Sequence, residues 1–212
     1  MSIAEKLATI ATNMELIKNK VYDDTVLKYL STCESVFYAV DFPEGYIWNG
    51  NVGDNTTINE MFVESTGVEK IIIRNNKPKG STNMNYAFTG CSARIIDLSG
   101  FSLKIKTGTQ AFYHSNTEEI IGELDLSTAS TTAGNQLFVG ANNLVEVRFK
   151  AGSIDVNITL ANSPLLSDAS IQSVIDGLKS TTTSRTLTLS TATSEKLTEE
   201  QTDTILGKGW SL

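Results

Sequence analysis

The chain of 212 residues has one histidine, His114, and two cysteines, Cys33 and Cys91. A single imidazole with no cysteine beside it cannot assemble a usual tetrahedral zinc set. Any Ser–His–Asp triad would have to use that histidine, and no segment resembles a nucleophile elbow. Phosphate-cradling loops are missing too, since Gly50-Asn51-Val52-Gly53 lacks the Lys-Ser/Thr that ends a P-loop. The expectation is a chain that is no enzyme and holds neither metal nor cofactor. Charge is sparse at 19%, and the net value of −7 argues against gripping a nucleic acid backbone. No apolar run reaches 18 residues, so no membrane insertion is expected. The N-terminus lacks a basic segment followed by an apolar block, so no signal peptide is expected.

What the chain has is repetition. Phe62, Phe88, Phe112 and Phe138 follow one another at intervals of 26, 24 and 26 residues. Asn59, Asn85, Thr109 and Asn135 stand three residues before each ring, where an N-cap of a single helical turn is expected. Ser65, Cys91, Ser115 and Ala141 stand three residues after. Cys91 thus fills a small-residue slot, which reads as packing in a reduced, cytoplasm-made protein, a Cys33–Cys91 disulfide being the alternative. His114 occupies a tolerant surface slot.

An apolar strand follows each phrase. Ile71 with Ile73, Ile96 with Leu98, Leu124 with Leu126, and Val147 with Phe149 are spaced by two and face inward. The expected outward row is Ile72, Asp97, Asp125 and Arg148, which places the two aspartates in register as solvated surface. A strand paired with a helical turn every 20–29 residues is the pattern of a leucine-rich solenoid. The expected fold is therefore an α/β solenoid, a leucine-rich-repeat coil stack with a parallel β-ladder, an N-terminal amphipathic helix and a C-terminal α/β cap. Four to six coils are expected.

The expected organisation is an N-terminal helix over 1–30, a transition or first degenerate coil over 31–57, repeats over 58–163, and a C-terminal repeat and cap over 164–212. In the first segment Ile3, Leu7, Ile10, Met14, Ile17 and Val21 are spaced 4, 3, 4, 3, 4. That is an a/d seam, and Leu at a with Ile at d leans toward trimers or tetramers. A cap folded on the first coil is the alternative. Glu34 to Phe42 reads as a strand, with Tyr46 and Trp48 as core fillers or an exposed patch. Residues 155–160 and 185–190 alternate as strands. Residues 166–178 read as a helix opened by Ser167 or Asp168, and Thr198-Glu199-Glu200-Gln201 opens another.

The phrase of Ala/Leu-Phe, a small residue three later and an apolar strand resembles the bacterial-surface (BspA-like) leucine-rich repeat. The run Ile171-Gln172-Ser173-Val174-Ile175-Asp176-Gly177-Leu178, the Leu197-Thr198-Glu199-Glu200-Gln201 helix and the opening Met1-Ser2-Ile3-Ala4-Glu5-Lys6-Leu7 resemble repeat proteins encoded by phages and prophages of Gram-positive bacteria. The resemblance implies a structural or receptor-contacting component of a virion or phage-like particle, contacting other virion proteins, itself or a host receptor. The abundance of Thr, Ser and Asn suits that setting. A bacterial cell-surface adhesion or ligand-binding module is the alternative. Partner binding is expected on the outward face of the strands through Ile72, Ile95, Asp97, Asp125 and Arg148, unless residues 22–57 cover the Ile pair.

Overall fold

The computed structural model describes residues 33–54, 57–75, 80–101 and 103–212. The N-terminal segment with Ile3, Leu7, Ile10, Met14, Ile17 and Val21 lies outside the described residues.

The molecule is organised by a column of phenylalanine rings, and the column has five members. Phe62 and Phe88 stack at 6.0 Å between centroids, Phe88 and Phe112 at 5.4 Å, and Phe112 and Phe138 at 5.8 Å. Phe37 adds itself to the near end, 4.9 Å from Phe62. All five are buried. Each ring is shielded in part by the rings on adjacent passages of chain, and its burial contributes roughly 1.5–3 kcal/mol.

The backbone that carries these rings is not the expected helical turn. Ser35, Glu60, Tyr86 and Gln110, two residues before Phe37, Phe62, Phe88 and Phe112, have φ between +49° and +56°. Ala39, Glu64 and His114, two residues after, have φ between +50° and +53°. A left-handed non-glycine residue costs about 1–2 kcal/mol. The strain is offset by hydrogen bonds between passages. Glu60, Phe62 and Glu64 donate their N–H groups to the carbonyls of Asn85, Ala87 and Thr89, while Met61, Val63 and Ser65 donate to carbonyls three residues back. The Asn three before the ring does cap a backbone N–H, but on the next passage. Asn59 Oδ1 accepts from Asn85 N at 2.9 Å, and Asn85 Oδ1 from Thr109 N at 3.0 Å. Only Phe138 follows a helix, α1 (Thr131–Gln136), which Ser130 caps, so Asn135 lies inside it.

Strands β1 (Asp41–Asn51), β2 (Thr66–Arg74), β4 (Ile95–Gly100), β6 (Glu119–Leu124) and β7 (Glu146–Phe149) form one parallel sheet in the order β1-β2-β4-β6-β7. The inward residues behave as their spacing predicts: Ile71, Ile73, Ile96, Leu98, Leu124, Leu126, Val147 and Phe149 are all buried. The strand expected over 34–42 is instead a turn over 34–39 followed by β1. Trp48 on β1 is core, packed edge-on to Phe37 and Phe62, and Tyr46 stacks on Phe42. Two short strands, β3 (Thr82–Asn83) and β5 (Ile105–Thr107), make a separate parallel pair.

The expectation of an α/β solenoid of leucine-rich-repeat coils is corrected here. The protein has a mixed α/β fold with a five-stranded parallel sheet and few helices. The ladder stops at β7, because the next element alongside it is helix α2 (Asp168–Gly177). Its serines stand in for strand carbonyls: Val147 N donates to Ser170 Oγ at 3.0 Å and Phe149 N to Ser173 Oγ at 2.9 Å. The edge is thereby closed. The alternating segments farther on go elsewhere. Strands β8 (Ile158–Leu160), β9 (Arg185–Leu189) and β10 (Trp210–Ser211) form their own sheet.

Helix α2 begins at the expected cap, with Ser167 accepting from Ser170 N, and buries Ile171, Val174 and Ile175. A short helix, α3 (Thr191–Ser194), precedes α4 (Glu199–Gly207), which opens with a full capping box of Thr198 and Gln201. Lys208 then donates to the carbonyls of Ile175 and Leu178 at 2.7 and 3.0 Å, tying the end of α4 to the end of α2.

Candidate functional site

The candidate site is the outward face of the five-stranded sheet. Side chains alternate along each strand, so the residues between the buried ones line this face. One row across the strands runs Ile47, Lys70, Ile95, Glu119 and Glu146, and a second runs Asn49, Ile72, Asp97 and Ile121. Ile47 is 57% exposed, while Ile72, Ile95 and Ile121 are half-buried among their neighbours. The face is thus a checkerboard of isoleucines and charges. Ile72 and Ile95 are not roofed by residues of the described part of 33–57: that segment supplies β1, which lies beside β2 at the sheet edge.

Of the five residues expected here, Ile72, Ile95 and Asp97 lie close together on this face, with Arg148 at the β7 end. Asp125 does not join them. Asp97 pairs across β4–β6 with Ile121, and Arg148 pairs with Glu123. The cause is two extra residues in β6: four steps from Glu119 to Glu123 oppose two from Glu146 to Arg148. Gly122 takes up the excess with φ +115°, and a Cβ there would lie 2.7 Å from Leu103 Cδ1. Asp125 falls beyond the strand, only 9% exposed, where it pairs with Lys104 in a parallel bridge.

Both carboxylates have local duties. Asp97 Oδ1 accepts from Ser99 N at 3.0 Å, within β4, and Asp125 Oδ1 from Ser127 N at 2.9 Å, where the chain leaves β6. Lys150 Nζ also donates to Asp125 Oδ2 at 2.9 Å. Burial opposes ionisation of Asp125, but the Ser127 and Lys150 hydrogen bonds outweigh it and hold the carboxyl below its ordinary range. Along the margin of the face, Arg94 grips Glu118 with two hydrogen bonds at 2.9 and 2.7 Å and reaches Glu69 at 3.3 Å. The Arg94 contact holds the Glu118 carboxyl low.

Two contributors were missed by the sequence reasoning, Ile121 and Ile47. The Ile-Ile dipeptides at 71–72, 95–96 and 120–121 are a signal for the first. Nothing in the sequence marks Ile47 as outward without the register of β1. Elsewhere, His114 is exposed, and Cys33 and Cys91 are both buried. Cys91 sits in the small-residue slot with its Sγ 3.8 Å from Ser65 Oγ, and burial pushes its thiol up to about 11. Among the described residues, no three His, Cys, Asp or Glu side chains gather as a metal-ligand group. Among the same residues no helix is long and apolar enough to cross a membrane.

On such a face isoleucines can supply desolvation and flanking charges register to a contacting surface. No family model matches the chain, and neither a curated protein nor a solved structure matches it significantly.

Proposed function

We propose that this chain is a non-enzymatic structural or receptor-contacting component of a bacteriophage or phage-like particle, and that it contacts its partner through the outward face of the five-stranded sheet. The observation that carries the contact surface is the isoleucine checkerboard of Ile47, Ile72, Ile95 and Ile121 beside Lys70, Asp97 and Arg148. Apolar side chains set among charges on a sheet face suit protein–protein contact, since desolvated apolar positions concentrate binding energy and charged neighbours set register. The particle itself rests on the resemblance of the 171–178 and 197–201 runs and of the opening residues 1–7 to phage-encoded repeat proteins. The low charged fraction and the net charge of −7 agree with a role other than gripping nucleic acid.

Mass spectrometry and electron microscopy of particles purified from the source test the location: a fixed stoichiometry in the particle is expected, and recovery only from the cell surface overturns the reading in favour of an adhesion module. The contact face is tested by Ile72→Asp and Ile95→Asp. Particle incorporation or receptor binding should fall while thermal stability holds. A clear fall in melting temperature would make these side chains core and sink the contact face.

A further inference from the structure

A different surface carries a second interaction. The left-handed turns bring Tyr38, Tyr86 and Tyr113 from three passages of chain to the wall of one open groove of about 380 Å³, together with Glu60, Glu64 and Gln110. Tyr38 is 50% exposed and Tyr86 37%, although tyrosines of this size ordinarily hide most of their rings. The exposure follows from the backbone. Tyr86 itself has φ +56°, and it stands two residues before the buried Phe88, so the conformation that sends Phe88 inward leaves Tyr86 outside.

The electrostatics of the groove are one-sided. No lysine or arginine lines it, and neither Glu60 nor Glu64 takes part in an ion pair with a described residue. Glu60 accepts one hydrogen bond, from Ser35 Oγ at 3.0 Å. By contrast, Glu69, Glu118, Asp125 and Asp155 all have cationic partners. Phenol faces attract cations through their quadrupole, and uncompensated carboxylates beside them add directly to that attraction. We infer that this groove is a binding site for a basic peptide segment, taking arginine or lysine side chains between the tyrosine rings with Glu60 and Glu64 as counter-charges. An anionic ligand would meet two carboxylates here, and a purely apolar one would leave them unpaired.

Titration calorimetry with a tetra-arginine peptide at low salt tests this surface independently of the sheet face. Saturable, salt-weakened binding is expected. Tyr38→Ala, Tyr86→Asn and the pair Glu60→Gln with Glu64→Gln should each weaken it roughly tenfold. Asparagine is chosen at 86 because it tolerates the left-handed backbone, and Tyr38, half-exposed on ordinary backbone, gives a variant whose folding is not at issue. Asp97→Asn on the sheet face should leave binding unchanged. Equal binding by all variants would mean attraction to the overall negative charge and overturn the site. So would absence of saturation by the peptide, including the case in which a neutral oligosaccharide binds the same tyrosines instead.

Discussion

The rings of Phe112 and Phe138 lie within 6° of parallel although their backbones differ. Phe112 sits in a turn with left-handed residues two before and two after it, whereas Phe138 follows helix α1 and keeps only the later one, Gly140 at φ +72°. The left-handed residue two after each ring, at Ala39, Glu64, Gly90, His114 and Gly140, and the stacking itself are therefore what successive passages share.

Truncating the middle of that column should be felt on two sides. Phe88→Ala removes contacts with both Phe62 and Phe112 and is expected to cost about 3–5 kcal/mol. Urea unfolding followed by circular dichroism measures it. A loss below about 1 kcal/mol would mean the rings stack without contributing to stability.

The closure of the sheet by α2 gives a second prediction. Ser170 Oγ accepts from Val147 N, both buried, and donates to Val145 O, which is half-buried. Ser170→Ala strands the Val147 N–H, while Val145 O keeps its bond from Ser167 N, and should cost about 1–3 kcal/mol despite removing a single oxygen. Hydrogen exchange at Val147 should quicken more than exchange at Ile96. Equal quickening at both would show general loosening and count against the serine as an edge partner.

A third prediction concerns acid. The Asp125 pKa is depressed in the folded protein, so its contribution is fully present above the unfolded value of about 3.9 and is lost as pH falls through the folded pKa. Wild type and Asp125→Asn should differ most in stability near neutrality, and the difference should shrink as pH falls below the ordinary aspartate range. A difference that stays constant as pH falls would mean that the ionised carboxylate is not what Lys150 and Ser127 stabilise.

The thiols supply the fourth. Burial raises Cys91 to about 11, and Cys33 is equally buried. Iodoacetamide at about pH 8 should leave both unmodified in the folded protein and alkylate both in denaturant, since the thiolate is the nucleophile. Rapid native-state labelling of Cys91 would contradict its packing.

How much of this was legible depended on what kind of rule governed each residue. The inward column from Ile71 to Phe149 was readable, because alternation is a local consequence of the pleat. The starts of α2 and α4 were readable from Ser167 and from Thr198 with Gln201, because capping is local too. Phe37 was missed although it stands 25 residues before Phe62; Val40 occupies its small-residue slot and broke the phrase. The β6 register was missed because Gly122 accommodates two extra residues through a backbone conformation that leaves no periodic trace. The end of the ladder at β7 was missed because serine hydroxyls there do what a strand's carbonyls would do. On the candidate face, Ile72, Ile95 and Asp97 were found from local alternation, whereas Asp125 was misplaced and Ile121 overlooked through the same two-residue excess.

That excess at Gly122 bears on how the chain can change length. A single inserted residue in a strand would turn every later side chain to the wrong face. Two inserted residues keep Leu124 inside and Glu123 outside, as they are here. The single extra residue of β4, between Asp97 and Gly100, falls at that strand's end, where no later strand residue is left to misplace. Inside a strand of this sheet, length changes are therefore expected in pairs, with a glycine such as Gly122 to take them up.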